Sequence, residues 1–149
     1  MSRDEGVVLI VEDDADDRDL LARAFKKANI HASIRFATDG DEAVAYLSDV
    51  LAGAPNALPF IVLLDLKLPR RSGFEVLEWI KGHAGLRRIP VIILTSSRES
   101  IDLERAYDLG ANSYLVKPAR PEALRQMVRN IDAYWLGLNE LAAQPHRFP

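Results

Sequence analysis

The chain has 149 residues, 48% of them hydrophobic and 28% charged, a net charge of −3 and no cysteine. That length predicts one domain with its own core, and the composition excludes a disordered chain, a disulfide scaffold, a thiolate nucleophile and a cysteine zinc site. The acidic balance offers no basic face to nucleic acid, the polar start Met1–Gly6 has no apolar signal core, and no apolar run approaches membrane-spanning length, so a cytoplasmic protein without nucleic-acid or membrane partners is expected.

Taken in order, Val7–Val11 is a β-branched run of strand length that ends abruptly in Glu12, Asp13 and Asp14. From about Asp16 the apolar residues Leu20, Leu21, Ala24, Phe25 and Ala28 recur at helical spacing, with Asp16 and Asp17 suited to the positive end of the helix dipole and Asn29 closing the helix. Ala32–Ala37 reads as a second strand, and Asp39-Gly40 is a turn signal before a helix with Ala43, Val44 and Leu47 on one face. Ser48–Pro59, with Gly53, Pro55, Asn56 and Pro59, reads as a loop.

Phe60–Leu64 is an unbroken apolar run, as a central strand buried on both faces requires, and it delivers Asp65 at its carboxyl end. Ser72 and Glu75 form a capping box for a third helix whose apolar face is Val76, Leu77 and Ile80, and Gly82 and Gly85 end it. Pro90–Leu94 is the fourth strand, ending in Thr95, Ser96 and Ser97; a helix over about Ser100–Leu109 stops at Gly110; Ser113–Val116 is the fifth strand, ending in Lys117-Pro118. The last helix opens near Pro121 and is expected to run to about Ala142.

Strands alternating with helices and no hairpin signal predict an α/β fold, a right-handed doubly wound (βα)5 with a five-stranded parallel sheet and an extended C-terminal helix. In a flavodoxin-like strand order 2-1-3-4-5 the first and third strands are neighbours at the switch point, and ligands bind at the carboxyl ends of the strands. Glu12 and Asp13 after the first strand, Asp65 after the third, Thr95 after the fourth and Lys117 after the fifth would then share one crevice. Each alone has another reading: helix-leading acids, a turn aspartate, a cap, a surface charge.

Carboxylates about 4 Å apart repel by roughly 4 kcal/mol at an effective dielectric near 20, so the cluster calls for compensation. An all-oxygen donor set points to a hard cation, here Mg²⁺ at Asp13 and Asp65 with Glu12 acting through bound water. A carboxylate is also a nucleophile able to form an aspartyl phosphate, a reaction in which positioning and charge neutralisation dominate. Asp65 would accept the phosphoryl group, the cation and the Lys117 ammonium would bracket its oxygens, and the Thr95 hydroxyl would donate a hydrogen bond. The different-class alternative is a Mg²⁺-dependent phosphohydrolase with Asp65 as nucleophile; such enzymes carry a second acid two residues on, where this chain has Lys67.

The run Leu9-Ile-Val-Glu-Asp-Asp14, the stretch Leu63-Leu-Asp-Leu-Lys-Leu-Pro69 followed by Ser72-Gly73, Ile93-Leu-Thr-Ser96 and Gly110-Ala-Asn-Ser-Tyr-Leu-Val-Lys-Pro118 together resemble the receiver domain of two-component response regulators, over about Val7 to Asn130. Leu86-Arg-Arg-Ile-Pro90, Arg105-Ala-Tyr-Asp-Leu-Gly110 and a tail helix with Tyr134-Trp135 are similar to the single-domain regulators paired with phytochrome-type histidine kinases. The resemblance implies that Asp65 takes phosphate from a sensor histidine kinase of bacteriophytochrome type. It further implies that Glu12, Asp13 and Asp65 hold Mg²⁺ with the Lys67 backbone carbonyl, that Thr95 and Lys117 contact the phosphoryl group, and that Thr95 and Tyr114 move as a switch. Lys67 and Ser97 occupy positions that tune dephosphorylation in the family, and Ala119 stands where many members have an aromatic residue.

His31, His83 and His146 lack metal-ligand spacing and read as loop or surface residues, and Trp79 reads as packing. In the last helix Leu124, Val128, Ile131, Trp135, Leu138 and Ala142 follow a four-three spacing of coiled-coil type. Its first half is expected to cover the sheet; its end, with Tyr134, Trp135, Leu138 and Leu141, is expected to form a homodimer contact. The division is a tail over 1–6, a receiver domain over 7–132, and a C-terminal helix extension and tail over 133–149.

Overall fold

The computed structural model describes residues 6–142. Its strands are β1 (Val7–Val11), β2 (Ser33–Ala37), β3 (Ile61–Leu64), β4 (Val91–Thr95) and β5 (Ser113–Val116), all parallel, in the order β2-β1-β3-β4-β5. The helices are α1 (Ala15–Lys27), α2 (Gly40–Gly53), α3 (Gly73–Gly82), α4 (Ser100–Asp108) and α5 (Pro121–Ile131). Successive side chains of a strand point to opposite faces, which is why the unbroken apolar runs of β1, β3 and β4 divide between two cores. Leu9, Val11, Val62, Leu64, Val91 and Ile93 pack with Ala43, Leu47, Val76, Leu77 and Ile80 of α2 and α3 on one face. Val8, Ile10, Ile61, Leu63, Ile92 and Leu94 pack with Leu21, Phe25, Leu124 and Val128 of α1 and α5 on the other.

Helix starts follow the caps. Asp14, Asp39 and Ser72 each accept a hydrogen bond from the amide three residues on, supplying partners that a first helical turn lacks. Gly110 takes φ of 104°, and Asn29 takes 56° to end α1. Two expectations are corrected. The segment after Ser48 is not loop throughout: α2 continues to Gly53, because Val50 and Leu51 extend its apolar face onto the core, and a 3-10 turn follows at Pro55–Ala57. The last helix does not run in one register to Ala142. After Ile131 it widens into a π turn over Asp132–Leu138, closed by Asn139 N donating to Tyr134 O, and Asn139 leaves the helix with extended backbone.

The wider turn adds a residue to the period. Burial therefore passes from Ile131 to Leu136, leaving Trp135 half-buried and Leu138 76% exposed, so the four-three seam is lost beyond Ile131. Among the described residues no helix is long and apolar enough to cross a membrane.

Candidate phosphoacceptor and metal site

Register brings the acidic groups together. Val11 lies opposite Leu64, so the next residues, Glu12 and Asp65, leave neighbouring strands side by side, with Asp65 N donating to Val11 O at 3.1 Å. Thr95 lies opposite Val116, and Lys117 N donates to Thr95 O at 2.8 Å, which aims the Lys117 side chain back across the strand ends. Its Nζ reaches Asp65 Oδ2 at 2.9 Å and Asp17 Oδ2 at 3.0 Å and also bonds Glu12 Oε1. An ammonium has three N–H donors, and all three are committed to carboxylates.

Two local devices hold this geometry. Arg18 Nη1 donates to the carbonyls of Glu12 and Asp13, both at 2.9 Å, fixing the turn out of β1. Gly73 packs directly on the Asp65 backbone: a Cβ there would lie 2.1 Å from Asp65 O, so the start of α3 can approach the site only without a side chain.

Glu12 is 2% and Asp65 7% exposed, whereas Asp13 is exposed. Burial pushes the Glu12 carboxyl up to about 7, against the opposing pull of Lys117. Burial also acts to lower Lys117, but its hydrogen bonds and attraction to Glu12 and Asp65 outweigh that and hold it above its ordinary value. Oxygens of Glu12, Asp13 and Asp65 lie within 4.8 Å of one another. Three carboxylates against one ammonium leave excess negative charge at a site with one exposed edge, and the donors are all hard oxygens; the set fits a divalent cation.

Thr95 is fully buried at the end of β4, with its Oγ1 3.5 Å from Ser97 N. Ser97 is tied on both sides: its hydroxyl donates to Asp102 Oδ2 at 2.7 Å, and its carbonyl accepts from Tyr114 OH at 3.1 Å. Burial raises the Tyr114 phenol, the bond to Ser97 partly offsetting it. The Lys67 amide lies 3.3 Å from Asp65 Oδ1.

Of the strand-end residues expected at the crevice, the structure brings the side chains of Glu12, Asp13, Asp65 and Lys117 together, and strand pairing sets Thr95 beside Lys117. Asp17, expected only as a dipole acid, is an addition to the site, and so are Arg18, through the Glu12 and Asp13 carbonyls, and Asp102, through Ser97. One signal for Asp17 was available: side chains in a first helical turn lean toward the N-terminus, here over the strand ends. His83 Nδ1 accepts from Gly85 N and its ring meets Trp79 edge-on at 5.7 Å, a packing role; His31 is exposed; His146 lies outside the described residues.

A doubly wound sheet carrying two acids, a third on the neighbouring strand, a buried threonine and a converging lysine defines a phosphoacceptor signalling module. The chain belongs to the response regulator receiver domain family, whose family model matches residues 8–129. It is 43% identical over 138 residues to the probable methanogenesis regulatory protein FilR2 of Methanothrix harundinacea, covering 93% of this chain and 88% of that one. It is 37% identical over 130 residues to response regulator Rcp1 of Synechocystis, covering 87% and 88%. The solved Mn(2+)-bound form of Rcp1 superposes with a TM-score of 0.81 over 93% of this chain and 99% of that one. The phosphorylated cyanobacterial phytochrome response regulator RcpA does so with a TM-score of 0.86, 35% identity and coverage of 93% and 99%. The chain is thus a response regulator similar to phytochrome-associated ones.

Proposed function

We propose that Asp65 is the phosphoacceptor of this response regulator and that Mg²⁺ is its working cation, held by Glu12, Asp13, Asp65 and the Lys67 carbonyl. The observation that carries this reading is the convergence of Asp65 and Glu12, both buried, on Lys117 at the mouth of the sheet. A bound cation supplies charge neutralisation for the phosphoryl oxygens. Lys117 offers its ammonium to the same oxygens, and the strand ends hold the Asp65 carboxylate in line for attack. Phosphorylation adds about −1.5 to −2 charges and acceptor oxygens. The Thr95 hydroxyl then gains a reason to approach, and its loop pulls on the carbonyl of Ser97, where the Tyr114 hydroxyl is anchored. Self-catalysed hydrolysis of the aspartyl phosphate returns the switch.

The donor is a sensor histidine kinase, and similarity to the phytochrome response regulator RcpA favours one of phytochrome type, a bacteriophytochrome. The working unit is the domain over 7–132, acting in the cytoplasm through protein contacts and not nucleic acid, with 133–149, of which 143–149 lie outside the described residues, as an extension whose described part pairs two copies. Support for pairing is the surface there: Tyr134 is 51% and Leu138 76% exposed, Trp135 and Leu141 are half-buried, and a groove of about 510 Å³ runs between β5 and α5 past Leu115, Met127, Tyr134 and Trp135.

Acetyl phosphate with Mg²⁺, applied beside Asp65→Asn, tests the core of this reading. A phosphoryl mass gain in the parent that the variant lacks is expected; sustained turnover of phosphate esters would favour the hydrolase, and no gain in the parent would overturn the phosphoacceptor. Sedimentation of the full chain against one ending at Asp132 tests pairing, which identical monomers would refute.

A further inference from the structure

Lys117 spends its three donors on Glu12, Asp17 and Asp65, so a phosphoryl oxygen can be bonded only after one of them is released. The three are not equivalent. The Glu12 side chain is 2% and that of Asp65 9% exposed, and neither can be rehydrated without opening the site; the Asp17 side chain is 38% exposed and water can replace Lys117 at its carboxylate. Asp17 stands on the first turn of α1, held by its own amide bonding Asp14 Oδ1 at 3.0 Å, so releasing the lysine leaves the helix start intact. A cavity of about 40 Å³ lies beside the pair, walled by Asp17, Leu20, Leu21, Lys117, Pro118 and Leu124. That is room for a water, with the Asp17 carboxylate and the Lys117 ammonium in its wall.

We propose that Asp17 is a positioning residue which holds Lys117 over the crevice in the resting state and cedes it to the incoming phosphoryl group. The inference rests on Asp65 being the phosphoacceptor. In the step concerned an Asp65 carboxylate oxygen forms a bond to phosphorus as the bond from phosphorus to the acetate oxygen of acetyl phosphate breaks; acetate leaves with that electron pair, and nothing is oxidised or reduced. Asp17 touches none of these atoms. It sets how readily Lys117 meets the phosphoryl oxygens, and it places a further negative charge near a dianionic donor.

An exposed ion pair is worth up to about a fivefold change in an equilibrium constant. Asp17→Asn is therefore expected to tighten equilibrium binding of beryllofluoride with Mg²⁺, followed by ¹⁹F NMR, by about two- to fivefold. It is expected to lower the half-saturating acetyl phosphate concentration by a similar factor with the limiting rate held within about twofold. Raising the salt concentration narrows the difference, because a half-exposed charge is screened. Asp17→Glu keeps the charge and is expected to behave like the parent. Unchanged or weaker beryllofluoride binding in Asp17→Asn, or an Asp17→Glu variant that matches Asp17→Asn, overturns the proposal. A parent protein that binds no beryllofluoride and takes no phosphoryl group refutes the phosphoacceptor reading itself, a different failure.

Discussion

Replacing Lys117 with methionine keeps the length and apolar stem of the side chain and removes its ammonium. The Glu12 and Asp65 side chains, 2% and 9% exposed, are then left facing each other without a counter-charge. Each lost attraction is worth about 4 kcal/mol gross at an effective dielectric of 20, offset by the burial of the ammonium itself. Removing one partner of a buried pair costs about 3–5 kcal/mol net. The low end applies, because Asp17 is 38% exposed and Glu12 can escape by taking a proton.

That escape sets the pH dependence. In the parent Glu12 already titrates near 7, above its ordinary 4.5, so the fold binds a proton that the unfolded chain does not, and stability falls as pH rises from 4.5 to 7. Without Lys117 the Glu12 carboxyl rises further, and holding it neutral at pH 8 works against the unfolded state, which ionises freely. At pH 5 it is neutral in both folded proteins and its contribution to the difference vanishes. The expected loss in metal-free buffer is about 3 kcal/mol at pH 8 and about 1 kcal/mol at pH 5. By thermal melting this is about 9 °C against 3 °C, at roughly 3 °C per kcal/mol for a domain of this size. Saturating Mg²⁺ at pH 8 is expected to restore part of the loss, since a divalent cation binds only the folded cluster. Urea unfolding at the two pH values measures it; equal losses at pH 5 and pH 8 would refute the reasoning that Glu12 and Lys117 are coupled.

Three further outcomes follow from the same geometry. Divalent-cation affinity of the parent, measured calorimetrically, is expected to be flat above pH 7 and to fall by up to about tenfold per pH unit below it, because a protonated Glu12 must release its proton first. Gly73→Ala places a Cβ 2.1 Å from the Asp65 carbonyl oxygen, and α3 must withdraw; a loss of about 1–3 kcal/mol in urea unfolding, with weaker cation binding, is expected, whereas the same change at Gly53, with open space around it, is expected to do neither. Tyr114→Phe removes the hydroxyl that anchors Ser97 O at 3.1 Å, at a loss of about 1 kcal/mol, while leaving cation affinity unchanged because Tyr114 is no ligand.

Much of this molecule is legible without coordinates. Apolar runs too continuous for a half-exposed strand identify β1, β3 and β4, and Asp39, Ser72, Gly110 and Asn29 mark helix ends through local hydrogen bonding and backbone preference. Because parallel strands in a doubly wound sheet all point one way, a residue type recurring at strand ends is a statement about one crevice, and Glu12, Asp13, Asp65, Thr95 and Lys117 were readable on that ground. Tertiary structure alone decided the rest. Which of several acids meets Lys117 depends on how α1 leans over the sheet, so Asp17 entered the site and Asp14 became a cap. Whether the last helix keeps one register depends on what it packs against: no local residue preference forecasts the π turn that buries Leu136 and turns Leu138 out. Local propensity and periodicity act over a turn or a strand, whereas partners brought from 100 residues away, as Lys117 is to Asp17, exist only once the chain has folded.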